Sequence, residues 1–345
     1  MNVDQGARPR LALEEALSRM DKDAVKGTIH TGRYLCRFID WGQGEPLVIL
    51  HGLGDNPRSF ALLMAHLSQH FRCIAYQQPQ GISDQARLGR YHHQHLLDDL
   101  HQLVEALHLP RATIMGHSFG STIALRALRE SPELWVRGIS MCGFAHRPLS
   151  RWHWWMAAFG RLLAGKTTLA SLRGREVALK KVHYPAFDHH EPKRWQFFLD
   201  ETGSSPLRAV GHWAHQLHRV DLRPVLSQIK QPVLILCGDR DYLVPHHHQD
   251  MLFQGLPNSV MFQIKDCGHL PMLTHPEAVS DAIMTFVGQR PFMHQCGSTG
   301  PNELGQCPTS GDACPSAGDM HMRTAIRPEQ EKTTSHDHAI PACHV

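Results

Sequence analysis

The chain has 345 residues, 42% of them hydrophobic and 19% charged, which is enough apolar material for one large core with an insertion. A net charge of +3 gives no strong attraction to nucleic acid, and no apolar run is long enough to cross a membrane. We therefore expect no nucleic-acid partner and no stable membrane insertion. The first ten residues lack a hydrophobic signal core, and five of the nine cysteines fall in or beside predicted strands (Cys36, Cys73, Cys142, Cys237 and Cys267). We expect free thiols and a reducing, cytoplasmic location.

The first part of the chain alternates predicted strands and helices. An amphipathic helix over residues 11–26 comes first and forms an N-terminal extension, residues 1–26. The elements that follow are a strand pair over 28–40, a strand at 47–50, a helix near 57–69, a strand at 71–76 and a helix near 92–107. This alternation predicts an α/β fold with a mostly parallel central sheet and helices on both faces. Functional loops then gather at the carboxyl edge of the strands.

The most informative motif is the pentapeptide Gly116–Gly120, which reads Gly-His-Ser-Phe-Gly. Residues 111–115 before it are apolar and partly β-branched, as in a buried strand, and residues 121–130 after it carry apolar residues at helical spacing. A serine on such a strand-to-helix turn has its Oγ exposed at the edge of the sheet, with the helix amino terminus aimed at developing negative charge. The motif predicts that Ser118 is a nucleophile.

A serine nucleophile needs a base, and the base needs an acid that fixes its tautomer. The strand at 232–237 ends in a polar turn that contains Asp239 and Asp241. The strand at 260–264 ends in a loop that contains Asp266 and His269. Chain order is therefore serine, aspartate, histidine.

On these motifs the chain resembles the α/β-hydrolase superfamily, of the type that has one domain and a helical cap. The resemblance covers roughly residues 28–290 and rests on His51-Gly52, Gly116–Gly120, Gly238–Asp241 with Val244-Pro245, and Gly268-His269 with His275-Pro276-Glu277. It implies a hydrolase core in two parts, residues 27–143 and 228–290.

The resemblance also implies roles for individual residues. The family's acid lies three residues after the glycine of the turn, which gives Asp241, with Asp239 as the close competitor and Asp266 as a distant one. The backbone N–H groups of Leu53 and Phe119 are expected to form the oxyanion hole. His51 and His117 are expected to support loops and not to act as bases. The family usually has an Asp-x-Pro-Gly-x-Gly-x-Ser segment after the strand at 71–76, and residues 77–84 of this chain depart from it. The substrate of a particular subfamily therefore cannot be assigned to this chain from the resemblance.

The pattern changes in residues 144–227, which contain no convincing strand and are predicted to form a helical cap insertion. Helices are expected over 151–163, 172–182, 194–201 and 206–218. The first is rich in tryptophan, and we predict that Trp154 and Trp155 line a substrate pocket. Two alternatives stay open, namely packing of these rings between cap and core, and a membrane-interface patch flanked by Arg151 and Arg161.

Residues 291–345 are rich in Gly, Ser, Thr, Pro and His and lack apolar periodicity, so we predict a disordered C-terminal tail. The cysteines and histidines of this tail do not have zinc spacing, and no glycine-rich phosphate loop occurs anywhere in the chain. We expect no metal and no cofactor.

Together these patterns predict a serine hydrolase that cleaves a carboxylic ester or similar acyl bond of a small, apolar substrate through Ser118, His269 and Asp241. Alternatives within the enzyme class are a lactonase, a carbon–carbon bond hydrolase and a cofactor-free perhydrolase. The alternative from another class is a ligand-binding or receptor-like protein without catalysis, which would have no need of a complete triad.

Overall fold

The computed structural model describes residues 11–163, 167–183, 187, 192–288 and 320–326. One nine-stranded sheet organises them, in the order β1-β2-β4-β3-β5-β6-β7-β8-β9. Its strands are β1 (Val25–His30), β2 (Leu35–Trp41), β3 (Glu45–Leu50), β4 (Phe71–Tyr76), β5 (Ala112–His117), β6 (Trp135–Met141), β7 (Val233–Gly238), β8 (Asn258–Ile264) and β9 (Met320–Ile326). Strands β4, β3, β5, β6, β7 and β8 pair in parallel, while β1, β2 and β9 add antiparallel strands at the two ends. The predicted fold class is confirmed.

Helices cover both faces of this sheet. They are α1 (Leu13–Asp23), α2 (Ala61–Leu67), α3 (His93–Ala106), α4 (Phe119–Glu130), α5 (Arg151–Gly160), α6 (Arg175–His183), α7 (Pro192–Gly203), α8 (Leu207–Arg219), α9 (His247–Gly255), α10 (Pro271–Thr274) and α11 (Pro276–Gly288). Apolar residues of α3 and α4 belong to the core on one face, and those of α1, α2 and α11 belong to the core on the other. Both faces of the central strands are therefore covered.

Strand β3 illustrates how the sequence produces two cores. Its residues Leu47, Val48, Ile49 and Leu50 are all essentially inaccessible. Because successive side chains of a strand point to opposite faces, Val48 and Leu50 join one core while Leu47 and Ile49 join the other. An uninterrupted apolar run is what a strand buried on both faces requires.

The N-terminal helix α1 is attached firmly to this framework. Its Ala16 and Met20 are fully buried in the core that contains α2. Lys193 of α7 forms an ion pair with Glu14 at 2.6 Å. The predicted helical extension is thus a helix that packs on the core.

Helices α5 to α8 follow β6 and precede β7, where the sequence predicts a helical insertion. Among the described residues of 144–227, β structure is limited to two isolated bridges, His146 with Asp221 and Thr168 with Pro206. The observed helices differ from the predicted ones by at most three residues at each end. Residues 169–171, which precede α6, form a separate short 3-10 helix.

The prediction of a disordered tail is wrong for Met320–Ile326. This segment forms β9 and pairs antiparallel with all seven residues of β8, from Asn258 with Ile326 to Ile264 with Met320. Arg323 of β9 also forms an ion pair with Asp250 at 3.1 Å. An edge strand offers unpaired backbone N–H and C=O groups, so β9 is held by main-chain hydrogen bonds that need little apolar burial. The other residues of 289–345 lie outside the described part of the chain.

Two further expectations concern the cysteines and the membrane. Cys36, Cys73, Cys142, Cys237 and Cys267 are all buried free thiols, as predicted. Within the described residues, no helix has both the length and the apolar character that a membrane span requires.

Candidate active site

Ser118 lies at the sharp turn between β5 and α4, at the carboxyl edge of the sheet. Its backbone has φ +51° and ψ −116°, in the left-handed half of conformational space that residues other than glycine rarely adopt. The Ser118 N–H donates to the carbonyl of Met141, the last residue of β6, at 2.9 Å, which ties the turn to the neighbouring strand. Strained backbone of this kind at a single residue is typical of a functional position.

The flanking glycines are required by close approach of the backbone. A Cβ atom on Gly116 would collide with the backbone of Gly120, and one on Gly120 would collide with the Leu50 carbonyl of β3. Helix α4 can therefore start directly against the sheet only because both positions lack a side chain. This is the structural basis of the Gly-x-Ser-x-Gly pattern in this chain.

His269 and Asp241 come from two neighbouring loops, after β8 and β7. The Nδ1 of His269 lies 2.8 Å from Oδ2 of Asp241, and both side chains are at least 96% buried. The other carboxylate oxygen of Asp241 accepts hydrogen bonds from the N–H groups of Leu243 at 3.0 Å and Val244 at 2.8 Å. Burial acts to raise the pKa of Asp241, but the charge and hydrogen bond of His269, together with the Val244 N–H, hold that pKa below its ordinary value.

The two competing carboxylates are engaged elsewhere. Asp239 accepts a hydrogen bond from the N–H of Cys267 at 3.1 Å, which holds the loop that carries His269. Asp266 is half-exposed and forms an ion pair with Arg240. Of the three aspartates considered from the sequence, Asp241 is the one that bonds to His269.

His117 supports the loop that carries His269. Its Nε2 donates a hydrogen bond to the backbone carbonyl of His269 at 2.8 Å, and the two ring centroids lie 4.9 Å apart. Burial, reinforced by the neighbouring charge of His269, lowers the pKa of His117 to about 3. A histidine that remains neutral and bonds to a backbone group has the supporting role that the sequence predicts for it.

His51 joins the loop after β3 to the altered segment after β4. Its Nε2 accepts the N–H of Gln78 at 3.0 Å, so its Nδ1 carries the proton and donates to the Gly52 carbonyl at 2.8 Å. The Gln78 side chain donates to the His51 carbonyl at 2.6 Å. Burial lowers the pKa of His51 to about 4. Gln77 Nε2 also lies 3.0 Å from His51 Nε2, so both glutamines hold His51 beside Gly52, a function that the sequence did not reveal.

The backbone of this loop lies beside Ser118. A Cβ atom on Gly52 would be 3.3 Å from the Cβ of Ser118 and 3.0 Å from Nδ1 of His117. Leu53 follows in the same loop, and Phe119 is the first residue of α4, whose N–H has no acceptor within the helix. The two expected N–H donors therefore come from the loop next to Ser118 and from the residue that follows it.

A cavity of about 260 Å³ contains Ser118 and His269 and is lined from both the sheet and the insertion. Apolar walls come from Leu53, Phe144, Leu169, Leu179, Val182, Phe198, Leu217, Leu243, Val244 and Leu270. No tryptophan is among the described residues that line it, so the prediction that Trp154 and Trp155 line the substrate pocket is wrong for this cavity. Trp155 is 64% exposed, and Trp154 packs on His215 of α8 with ring centroids 5.8 Å apart.

Polar residues that the sequence did not single out also line this cavity, among them Asp55, Arg147, Arg175 and His183. The His183 ring lies over His269 at 6.0 Å between centroids, and burial lowers its pKa to about 3. Burial raises the pKa of Asp55 to about 6, against the hydrogen bond that this carboxyl shares with Ser59. No local pattern marks Arg147, Arg175 or His183, because the packing of the insertion on the core brings them here. Asp55 could have been found, since it follows directly on the Gly52–Gly54 loop.

His117, Cys142 and His269 also place potential metal-ligand atoms within 4.8 Å of one another. Hydrogen bonds already occupy one ring nitrogen of each histidine. Burial raises the pKa of the Cys142 thiol well above its usual value, whereas a metal binds the thiolate. The chemistry of this cluster therefore favours the hydrogen bond between His269 and Asp241 over a metal centre.

Comparison with known proteins identifies the class. The family model for the alpha/beta hydrolase fold matches residues 45–276, and the chain belongs to this family of hydrolases. It is 27% identical to the "Uncharacterized hydrolase YugF" of Bacillus subtilis over 70% of this chain and 90% of that protein. It is 29% identical to a "Pimeloyl-[acyl-carrier protein] methyl ester esterase" of Xanthomonas oryzae over 72% and 98%. The structure of a hydrolase from Pseudomonas aeruginosa superposes with a TM-score of 0.67 at 16% identity, covering 76% of this chain and 98% of that one.

Proposed function

We propose that this α/β hydrolase cleaves a carboxylic ester, or a similar acyl bond, of a small and largely apolar substrate through an acyl-enzyme on Ser118. The observation that carries the proposal is the buried hydrogen bond between Asp241 and His269, a histidine that lines the same cavity as Ser118. A carboxylate that fixes the Nδ1–H of a histidine leaves Nε2 free to act as a base. In this cavity, such a base is suited to take the hydroxyl proton of Ser118.

The proposed reaction has two halves. Ser118 Oγ attacks the ester carbonyl while His269 Nε2 takes the hydroxyl proton, and Asp241 stabilises the resulting imidazolium. The N–H groups of Leu53 and Phe119 bind the negative oxygen of the tetrahedral intermediate. The intermediate expels the alcohol, which receives the proton from His269. Water then gives a proton to His269 and attacks the acyl-enzyme, and collapse releases the acid and returns the proton to Ser118.

The lining of the cavity supports an apolar acyl group. Ten of its lining residues are leucine, valine or phenylalanine, residues of α6, α7 and α8 contribute to its walls, and the His183 ring of α6 packs near His269. Exclusion of water strengthens the electrostatic interactions on which the oxyanion depends. Arg147 and Arg175 add positive charge to the walls.

The test is covalent labelling with a fluorophosphonate, followed by turnover of p-nitrophenyl esters of increasing chain length. We expect the wild-type protein to be labelled once, and Ser118→Ala to fold normally but lose the label and nearly all turnover. Ser204→Ala, at an exposed serine outside the cavity, is the control and should behave as wild type. An ester that bears a free carboxylate belongs in the panel because of the two arginines. Undiminished labelling of Ser118→Ala would refute the assignment.

A further inference from the structure

Helix α5 in the insertion exposes its large apolar side chains. Trp152 is 71% exposed, Trp155 64%, Met156 52% and Phe159 65%, and Leu162, just after the helix, is 84% exposed. Positions 152, 155, 156 and 159 follow the i, i+3, i+4, i+7 spacing of one helical face. We call these four residues, together with Leu162, the outer apolar face. A monomeric protein seldom leaves such a contiguous set in water unless it has a binding function.

The inner face of α5 explains why these residues point outward. Ala157 and Gly160 are the buried residues of the helix, and they meet Gly211 of α8. A Cβ atom on Gly211 would be 2.6 Å from the Ala157 carbonyl and 2.9 Å from the Arg161 nitrogen. The two helices approach so closely that only small residues fit between them. The usual amphipathic arrangement is therefore inverted, with small residues inside and large ones outside.

Exposure of large apolar residues is concentrated in this part of the molecule. Nine large hydrophobic residues are exposed in the described part of the chain, and seven of them lie between Trp152 and Val177. The other two, Val25 and Tyr242, are far apart in the sequence. The outer apolar face thus belongs to a segment that differs in surface character from the rest of the protein.

The insertion also differs from the rest of the chain in charge. Residues 144–227 contain thirteen Lys and Arg and six Asp and Glu, a net charge of +7. Since the whole chain has +3, the remaining residues carry a net charge of −4. Arg151 and Arg161 stand at the two ends of α5, next to the tryptophans and Phe159. Aromatic and aliphatic side chains flanked by basic residues are suited to the boundary between anionic headgroups and acyl chains.

These observations also discriminate between possible occupants of the face. A second copy would bring two segments of charge +7 together, whereas an anionic surface is complementary to that charge. The C-terminal residues 289–319 and 327–345 offer five large apolar side chains, Phe292, Met293, Leu304, Ile340 and Val345, and are poorly composed to cover such a face. We propose that the outer apolar face docks the protein on a lipid surface rich in anionic headgroups, with α5 lying in the interface plane.

The test uses the full chain and flotation with vesicles of phosphatidylcholine alone or mixed with phosphatidylglycerol. We expect binding to the mixed vesicles, weak binding to phosphatidylcholine, and a large loss of binding between about 0.1 M and about 1 M NaCl, where the Debye length falls from ~10 to ~3 Å. The triple variant Trp152→Ser/Trp155→Ser/Phe159→Ser should bind the mixed vesicles roughly tenfold more weakly or worse, since it loses three apolar side chains that docking transfers from water into the lipid. The matched control is Val25→Ser, an exposed apolar residue outside the insertion, which should bind as wild type.

Tryptophan fluorescence gives a second readout that needs no substitution. Four of the seven tryptophans, Trp41, Trp135, Trp195 and Trp213, are at most 6% exposed. Brominated lipids that quench fluorescence would therefore report on α5. We expect quenching by mixed vesicles and none in the triple variant. If the triple variant does not fold, the test uses vesicle binding by Arg151→Glu/Arg161→Glu, which should be weaker than that of wild type, together with the quenching of the wild-type protein.

Three outcomes would overturn the proposal. They are absence of vesicle binding and quenching, vesicle binding that the triple variant retains in full, and a wild-type dimer that the triple variant dissociates without any vesicle binding. Turnover of a water-soluble ester, which we expect the triple variant and Val25→Ser both to keep, separates a failure of docking from a failure of the proposed reaction.

Discussion

The sheet and the helical insertion use apolar side chains in opposite ways. In β3, each of the residues Leu47–Leu50 is buried, and the strand runs to the loop that lies beside Ser118. In α5, the large residues are exposed and the buried ones are Ala157 and Gly160. The core is thus fixed by its own packing, which is what a site that holds atoms in place requires. The outer surface of the insertion is not fixed by any burial within the described chain, so it is free to serve a partner.

The largest effect is expected where the core site is most constrained, at Asp241. Asp241→Asn should lower turnover roughly 10³- to 10⁴-fold, because the amide cannot hold the tautomer of His269 that presents Nε2 as a base. The control is Asp239→Asn, two residues away, which removes a charge but keeps an amide oxygen that can accept the Cys267 N–H. Its effect on turnover should be much smaller. The specificity constant for one soluble ester, measured in both variants, checks this, and the opposite ranking would assign the role to Asp239.

The pairing of Asp241 with His269 was predictable from the sequence because each residue is marked by its own local segment. A glycine turn after β7 and a Gly-His pair after β8 are short patterns, and parallel strands place their carboxyl ends at one edge. The same holds for Ser118, since Gly116 and Gly120 are demanded by backbone collisions that depend on a few neighbouring residues. Requirements of the local backbone can therefore be recognised from a single sequence.

Other features depend on packing between distant segments and could not be predicted. The period of α5 indicated a helix but not which face would be buried, and that face was set by Gly211 more than fifty residues later. The Gln78–His51 hydrogen bonds replace a family motif with different residues. Strand β9 did have a weak signal, because Met320, Met322, Thr324 and Ile326 alternate with His321, Arg323 and Ala325. The polar composition around it outweighed that signal.

The second prediction concerns pH and the core beneath α4. Burial, reinforced by Arg126, lowers the pKa of His93 to about 3, and the side chain accepts from Arg126 at 2.8 Å and donates to Thr122 at 2.9 Å. Its folded pKa is below the unfolded value of about 6.5, so on acidification the unfolded chain takes up the proton first. Stability is therefore lost as the pH falls below about 6.5, down to about 3.

His93→Gln removes this titration and keeps a donor and an acceptor. The loss in free energy of unfolding between pH 7.5 and pH 5 should be smaller than in wild type by about 2 kcal/mol. Denaturant unfolding at the two pH values measures it, and His70→Gln, at an exposed histidine, is the control that should match wild type. An equal pH dependence in His93→Gln and wild type would contradict the prediction.

The third prediction concerns the edge of the sheet. A chain that ends after Gly288 loses β9 and leaves the outer backbone groups of β8 unpaired. We expect the melting temperature to fall by roughly 5 °C, with turnover unchanged, because a few lost strand hydrogen bonds cost about 1–2 kcal/mol. A chain that ends after Ile326 keeps β9 and is the matched control. Equal melting temperatures for the two truncations would show that β9 contributes nothing to stability.

The smallest effect on the reaction is expected from the tryptophans of α5, and it separates the two regions most directly. Since Trp155 is largely exposed and does not line the cavity, Trp155→Ala should leave the ranking of short and long esters unchanged, to within about twofold in specificity constants. Leu179→Ala, in α6 and in the cavity wall, is the comparison variant and should shift discrimination between chain lengths by about 1–3 kcal/mol. Both variants are measured on the same two esters, free of vesicles. A change of ranking in Trp155→Ala as large as that in Leu179→Ala would mean that the exposed helix reaches the substrate after all, and the division between a fixed core site and a free outer face would not hold.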